Sequence, residues 1–146
     1  IDPAAMVIAA SVLPRKSSGG MNKAQRFLDA LEAKGWPCDA YACHIYPEAG
    51  YWAPKWKEYL TDVKDALAAM NAPNKNKIWV TETTYGLLAD PIPEDKAQAV
   101  IDQTYQHAET LGVQQIYWYA WNRPDLGGLQ IKDSSTAWAA IRRNGV

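Results

Sequence analysis

Short apolar blocks alternate four times with longer stretches in which apolar residues recur at helical spacing. The blocks are residues 6–12 (MVIAASV), 39–46 (DAYACHIY), 77–83 (KIWVTET) and 113–121 (VQQIYWYAW). Brief apolar runs of this kind predict buried strands of a parallel sheet. Residues 22–34 place Ala24, Phe27, Leu28 and Leu31 on one helical face, and residues 55–70 do the same with Tyr59, Leu60, Val63, Ala66, Leu67 and Met70. A third helix is predicted from Pro93-Glu94-Asp95, with acids near its positive end, to Leu111. A fourth is predicted over 135–143, capped by Ser134 or Ser135. Gly35 and Gly112 read as stops for the first and third helices. Residues 14–20, 71–77, 85–92 and 122–133, rich in Gly, Pro, Ser and Asn, read as connections.

Strand alternating with helix implies an α/β fold with a parallel sheet and right-handed crossovers. Four such units suit either an open doubly wound sheet or half of a barrel. No Gly-rich phosphate loop follows any strand, which argues against a nucleotide-binding sheet. Polar and aromatic residues instead gather at the C-terminal strand ends: His44 and Tyr46, Glu82, and Trp121. In a (β/α)8 barrel the active site is built at that end. The fold class expected is four consecutive βα units forming half of a TIM (β/α)8 barrel. Residues 1–146 are read as a single domain.

Composition narrows function without naming it. Net charge is −1 and no block of Lys or Arg forms a phosphate-binding stripe, so nucleic acid is not an expected partner. No run of apolar residues is long enough to span a bilayer. Cys38 and Cys43 would point to opposite faces of one strand and are not expected to form a bridge. Two Cys and two His give no zinc spacing, and His44 with Glu48 straddles Pro47, so neither metal nor cofactor is expected. Seven Trp and eight Tyr stand against one Phe, a bias toward rings with a flat apolar face and a polar edge. Such rings stack on sugars and also fill ordinary cores.

Glu82 is the residue hardest to explain as structure. It ends an apolar strand, where an unpaired buried carboxylate is costly. The stretch Trp79-Val80-Thr81-Glu82 resembles the seventh strand of the retaining (β/α)8 glycoside hydrolases of clan A, which ends in the nucleophilic Glu. His44-Ile45-Tyr46 resembles their sixth strand, and Trp118-Tyr119-Ala120-Trp121 their eighth. Gly128-Leu129-Gln130-Ile131 is similar to the final loop, and Ile1-Asp2-Pro3 to the approach to the fifth strand. The resemblance implies a carbohydrate substrate and the fifth to eighth units of a larger glycosidase-like domain. It implies Glu82 as nucleophile, with His44, Tyr46, Trp121 and Trp52 around the sugar. In this reading Tyr46 donates a hydrogen bond to Glu82, His44 binds a sugar hydroxyl or orients Glu82, and Trp121 stacks under the ring.

One departure matters. The family's acid/base Glu follows Asn at the end of the fourth strand, and no Asn-Glu pair occurs in these 146 residues. Glu48, Asp90 and Asp125 are loop acids, and nothing in the sequence selects one as a substitute. The isolated chain is therefore expected to be inactive. A half barrel would also leave one sheet face open. Strict alternation puts Ile78 and Val80 on that face with Glu82, making an apolar patch that needs cover from an upstream half-barrel or from self-association. A non-catalytic glycan-binding or cell-wall-binding barrel and a scaffold domain are the alternative functions, since fold alone does not prove function. The residues themselves do not fix a compartment; the resemblance implies an extracellular or cell-envelope location.

Overall fold

The computed structural model describes residues 4–14, 20–46, 52–84, 93–119 and 135–145. Eight elements follow in strict alternation: β1 (Ile8–Val12), α1 (Gly20–Ala33), β2 (Ala40–Ile45), α2 (Trp52–Ala69), β3 (Ile78–Thr83), α3 (Glu94–Thr110), β4 (Val113–Trp118) and α4 (Ser135–Asn144). The strands form one parallel sheet in sequence order, β1-β2-β3-β4. All eight expected elements are present, with ends displaced by a few residues at most. Of the two expected caps, Ser134 lies outside the described residues and Ser135 is the first residue of α4.

The helix ends follow their sequence signals. Gly35 adopts a left-handed φ of 73°. The Gly35 amide donates to Glu32 and that of Trp36 to Leu31, which satisfies two carbonyls that α1 leaves open. Asn71, also left-handed, ends α2 with the same pair of bonds, from Asn71 to Ala68 and from Ala72 to Leu67. Gly112, at φ 69°, ends α3. At the start of α3 the Pro93 carbonyl accepts from the amides of Lys96 and Ala97. The Lys64 ammonium, on α2, donates to the Leu111 carbonyl and puts positive charge at the negative end of α3.

The main core lies between the sheet and the helices. Ala9 and Val12 of β1, Tyr41, Cys43 and Ile45 of β2, and Ile78 and Val80 of β3 pack with Leu28 of α1 and with Trp56, Tyr59, Leu60, Val63 and Leu67 of α2. A second, smaller cluster joins α3 and α4 through Ala97, Ile101, Ala137 and Ala140, three of them alanines that allow close helix approach. A surface tie closes that pair: Arg143 donates to both Asp102 oxygens at 2.6 and 2.7 Å, and Asn144 adds a bond at 2.6 Å. Cys38 and Cys43 are both free and buried.

The face assignment of Ile78 and Val80 corrects the expectation from strict alternation. They are 1% and 0% exposed and belong to the helix-side core, not to the open face. The cause is in the strand register. From one pairing to the next, β2 advances one residue, Cys43 to His44, while β3 advances two, Val80 to Glu82. The extra residue is Thr81. Such a bulge resets the alternation, so the residues beyond it face the opposite way from what period two predicts. Pairing with β4 agrees: Val80 to Thr83 on β3 faces only Ile116 to Trp118. A second irregularity lies in β1, where Ala9 to Val12 faces only Tyr41 to Cys43.

The open face of the sheet therefore lacks Ile78 and Val80, two of the residues expected to make it apolar. It carries Ser11, Ala42, His44, Thr81 and Glu82, together with Trp79 and Tyr117, whose rings stack at 6.2 Å. The hydroxyls of Ser11 and Thr81 share a hydrogen bond of 2.7 Å, reaching from β1 to β3 over the intervening β2. Alternate strands of a flat sheet lie ~10 Å apart, too far for two such short side chains to meet. The sheet is rolled toward this face, as the staves of a barrel are.

Candidate active site

The site stands on the bulge. With Thr81 inserted, Glu82 emerges on the concave face at the C-terminal end of β3, register partner to His44. The two carboxylate oxygens have different neighbours. Oε1 accepts a hydrogen bond from the Tyr46 hydroxyl, and Oε2 lies 3.3 Å from His44 Nδ1. The His44 and Glu82 side chains are 34% and 28% exposed, enough for a ligand to reach the carboxylate. The sequence thus places three chemical groups, imidazole, phenol and carboxylate, on adjacent strand ends, and the sheet brings them into contact.

Three of the five residues expected from sequence come together here: Glu82, His44 and Tyr46. Trp121 lies outside the described residues, as do the loop acids Glu48, Asp90 and Asp125. Trp52 opens α2, and its side chain likewise lies outside them.

Directly behind Glu82 is a pair of residues that strand-end reasoning missed. Thr83 is fully buried on the helix side. Its hydroxyl donates to the Ile45 carbonyl at 2.7 Å and accepts from Trp56 Nε1 at 3.0 Å. Its backbone carbonyl accepts from the Tyr119 amide at 2.7 Å. Thr83 thus links β2, β3, α2 and the end of β4 at one point. A signal for this was available: Val80 cannot sit in the core and Glu82 in the site unless alternation breaks between them.

Among the described residues no group of three or more His, Cys, Asp or Glu converges as a metal site. Nor is any described helix long and apolar enough to cross a membrane. The arrangement as it stands can hold a carboxylate at a defined position, bonded by a phenol and beside an imidazole, at the rim of a curved parallel sheet.

Comparison with known proteins agrees with this architecture. No curated protein sequence matches the chain significantly. Among solved structures, a thermostable mutant of a xylanase (Xyn10A) from Cellvibrio japonicus superposes with a TM-score of 0.53 at 12% sequence identity. The alignment covers 87% of this chain and 45% of the xylanase, so this chain spans less than half of that protein. At that identity the likeness concerns the fold: four βα units forming half of a TIM barrel. Residues 2–143 match the model of a family described as glycosyl hydrolase catalytic core. With nearly its whole length covered by that match, the chain belongs to the glycosyl hydrolase catalytic core family.

Proposed function

We propose that the chain is the C-terminal half, the fifth to eighth βα units, of a retaining glycoside hydrolase, with Glu82 as nucleophile. The observation that carries this reading is the dual engagement of Glu82 by Tyr46 and His44 at the C-terminal rim of the sheet. A retaining glycosidase uses two carboxyl groups about 5–5.5 Å apart, one ionised to attack the anomeric carbon and one protonated to release the leaving group. A hydrogen bond from Tyr46 and a contact with His44 suit the ionised partner: they fix the attacking oxygen and stabilise its charge. His44 is also exposed enough to reach a sugar hydroxyl. Trp121 and Trp52 complete the proposed sugar subsite.

In the reaction so read, Glu82 forms a bond to the anomeric carbon as the glycosidic bond breaks. The second carboxyl protonates the departing oxygen and then activates water for hydrolysis of the glycosyl-enzyme. That second group belongs to the fourth βα unit, outside these residues, so the isolated chain is inactive in this reading. The open sheet fits the same view. β1 and β4 bound it, and Met6 and Val7 are each 52% exposed beside the β1 edge. We assign their cover to the upstream half-barrel rather than to a second copy. Size-exclusion chromatography separates the two: dimers of the isolated chain would favour self-association.

The functional test is hydrolysis of an aryl glycoside by the protein carrying both halves, with and without Glu82→Gln. The expected loss is on the order of a thousandfold or more in kcat. Activity within about tenfold of wild type would remove Glu82 from the nucleophile role. Glycan binding without any hydrolysis would leave a binding module.

A further inference from the structure

The β3 bulge creates a problem that the structure solves in one place. An inserted residue can be absorbed at several positions along a strand, and each choice sends a different residue to the concave face. If the insertion came beyond Thr83, strict alternation from Val80 would turn Glu82 toward the helices and Thr83 toward the open face. What fixes the insertion at Thr81 must act on the residues just beyond it.

Thr83 is the residue so placed. It faces the helix layer on the same side as Ile78 and Val80, although it lies three positions beyond Val80. On that side its hydroxyl completes a buried chain, from Trp56 Nε1 through Thr83 Oγ1 to the Ile45 carbonyl. All three residues are almost fully buried. Turned the other way, Thr83 would leave an indole donor without an acceptor in the core. Ile45 lies between His44 and Tyr46, the two residues that engage Glu82. The bond from Thr83 to Ile45 therefore sets the level of β3 against the segment of β2 that carries both partners. On the open side, the Ser11–Thr81 bond holds the inserted residue itself.

We infer that Trp56 and Thr83 are positioning residues: their buried hydrogen-bond chain latches the Thr81 bulge and thereby turns Glu82 toward His44 and Tyr46. The inference rests on the proposed role of Glu82 for its catalytic meaning, but its geometric content does not depend on hydrolysis. Neither residue touches the site. They act through backbone register alone.

The test uses the protein carrying both half-barrels, selectively labelled at Glu and Tyr for NMR, with Tyr46 assigned by Tyr46→Phe. The readout is the nuclear Overhauser contact between the Glu82 side chain and the Tyr46 ring. Thr83→Val, which keeps shape and removes the hydroxyl, should abolish that contact, and Thr83→Ser should retain it. Trp56→Phe, which removes the donor into Thr83, should weaken it at least about twofold. A residue with a merely structural part would lower stability in all three variants and leave the contact unchanged, and that result overturns the inference. If Thr83→Val does not fold, Trp56→Phe decides: an undiminished contact refutes the latch. Failure of the functional reading is distinguishable, because Glu82→Gln would then keep its activity whatever the contact does.

Discussion

Thr83→Val offers a stability measurement whose size follows from three buried groups. The substitution is close to isosteric, so cavity and overpacking effects are small. It removes one acceptor, used by Trp56 Nε1 at 3.0 Å, and one donor, used by the Ile45 carbonyl at 2.7 Å. Thr83 and Ile45 are 0% exposed and Trp56 1%, so water does not replace the lost partners without rearrangement. Leaving a buried polar group unsatisfied costs about 1–3 kcal/mol, and two such groups are stranded here. The added methyl returns about 0.8 kcal/mol of transfer free energy. The expected net destabilisation is about 1–5 kcal/mol. Thr83→Ser, which loses only a methyl, should cost about 1 kcal/mol. Urea unfolding followed by circular dichroism measures both. A double-mutant cycle with Trp56→Phe should give a coupling of about 1–2 kcal/mol, because the valine strands one group fewer once the indole donor is gone. A Thr83→Val loss below about 0.5 kcal/mol, or additive single mutants, would show that the chain of bonds contributes nothing beyond packing.

Other perturbations probe separate parts of the molecule. On the proposed mechanism, Tyr46→Phe removes a hydrogen bond to the attacking carboxylate of Glu82, worth about 1.5–3 kcal/mol, and should lower kcat/KM of the two-half protein roughly tenfold to a hundredfold; an unchanged value would detach Tyr46 from that role. Partial burial pushes the Asp102 carboxyl up, but hydrogen bonds from Arg143 and Asn144 outweigh it and hold the group below its ordinary 3.8. A depressed acid stabilises above its unfolded value and loses that contribution as pH falls through the folded one, so Asp102→Asn should cost about 0.5–1 kcal/mol at about pH 7 and nothing near pH ~2, as urea titrations at the two values would show. Burial pushes the Cys43 thiol up to about 12. The neutral thiol is thus favoured by folding, its contribution is intact below 9.0, and it disappears as pH rises toward 12. Native protein at about pH 8 should accordingly leave Cys43 unmodified by a thiol reagent that labels it fully in urea.

The order and type of elements were legible because two periodicities alternate cleanly and the stops are specific. Gly35 and Gly112 stand where a left-handed residue is needed, and helical periodicity over residues 55–70 names four of the side chains that α2 buries, Tyr59, Leu60, Val63 and Leu67. The site was legible in part. His44, Tyr46 and Glu82 are strand-end residues, and parallel strands in sequence order bring such ends together. What period two could not deliver was the face. It treats a strand as regular, so Ile78, Val80 and Glu82 share a side in the pattern and do not in the fold. A single inserted residue is invisible to a hydrophobicity pattern, because the loss of alternation at one step resembles ordinary substitution noise. Thr83 was missed for a related reason: a threonine near a strand end reads as solvated, and only the reversed face makes it a buried linker. Trp56 packs in the core, and the polar edge of its ring has a partner there too.

The hydroxyl bridge between Ser11 and Thr81 sets a tolerance on the strand beneath it. Ala42 alternates with Tyr41 and Cys43 on β2, the strand between the two that the bridge joins, and is only 5% exposed. A small side chain on the concave face of β2 leaves room for the strands on either side of it, β1 and β3, to lean together. A bulkier residue there would add volume on the concave side, so the smallness of position 42 is compatible with a curve that a larger side chain would oppose.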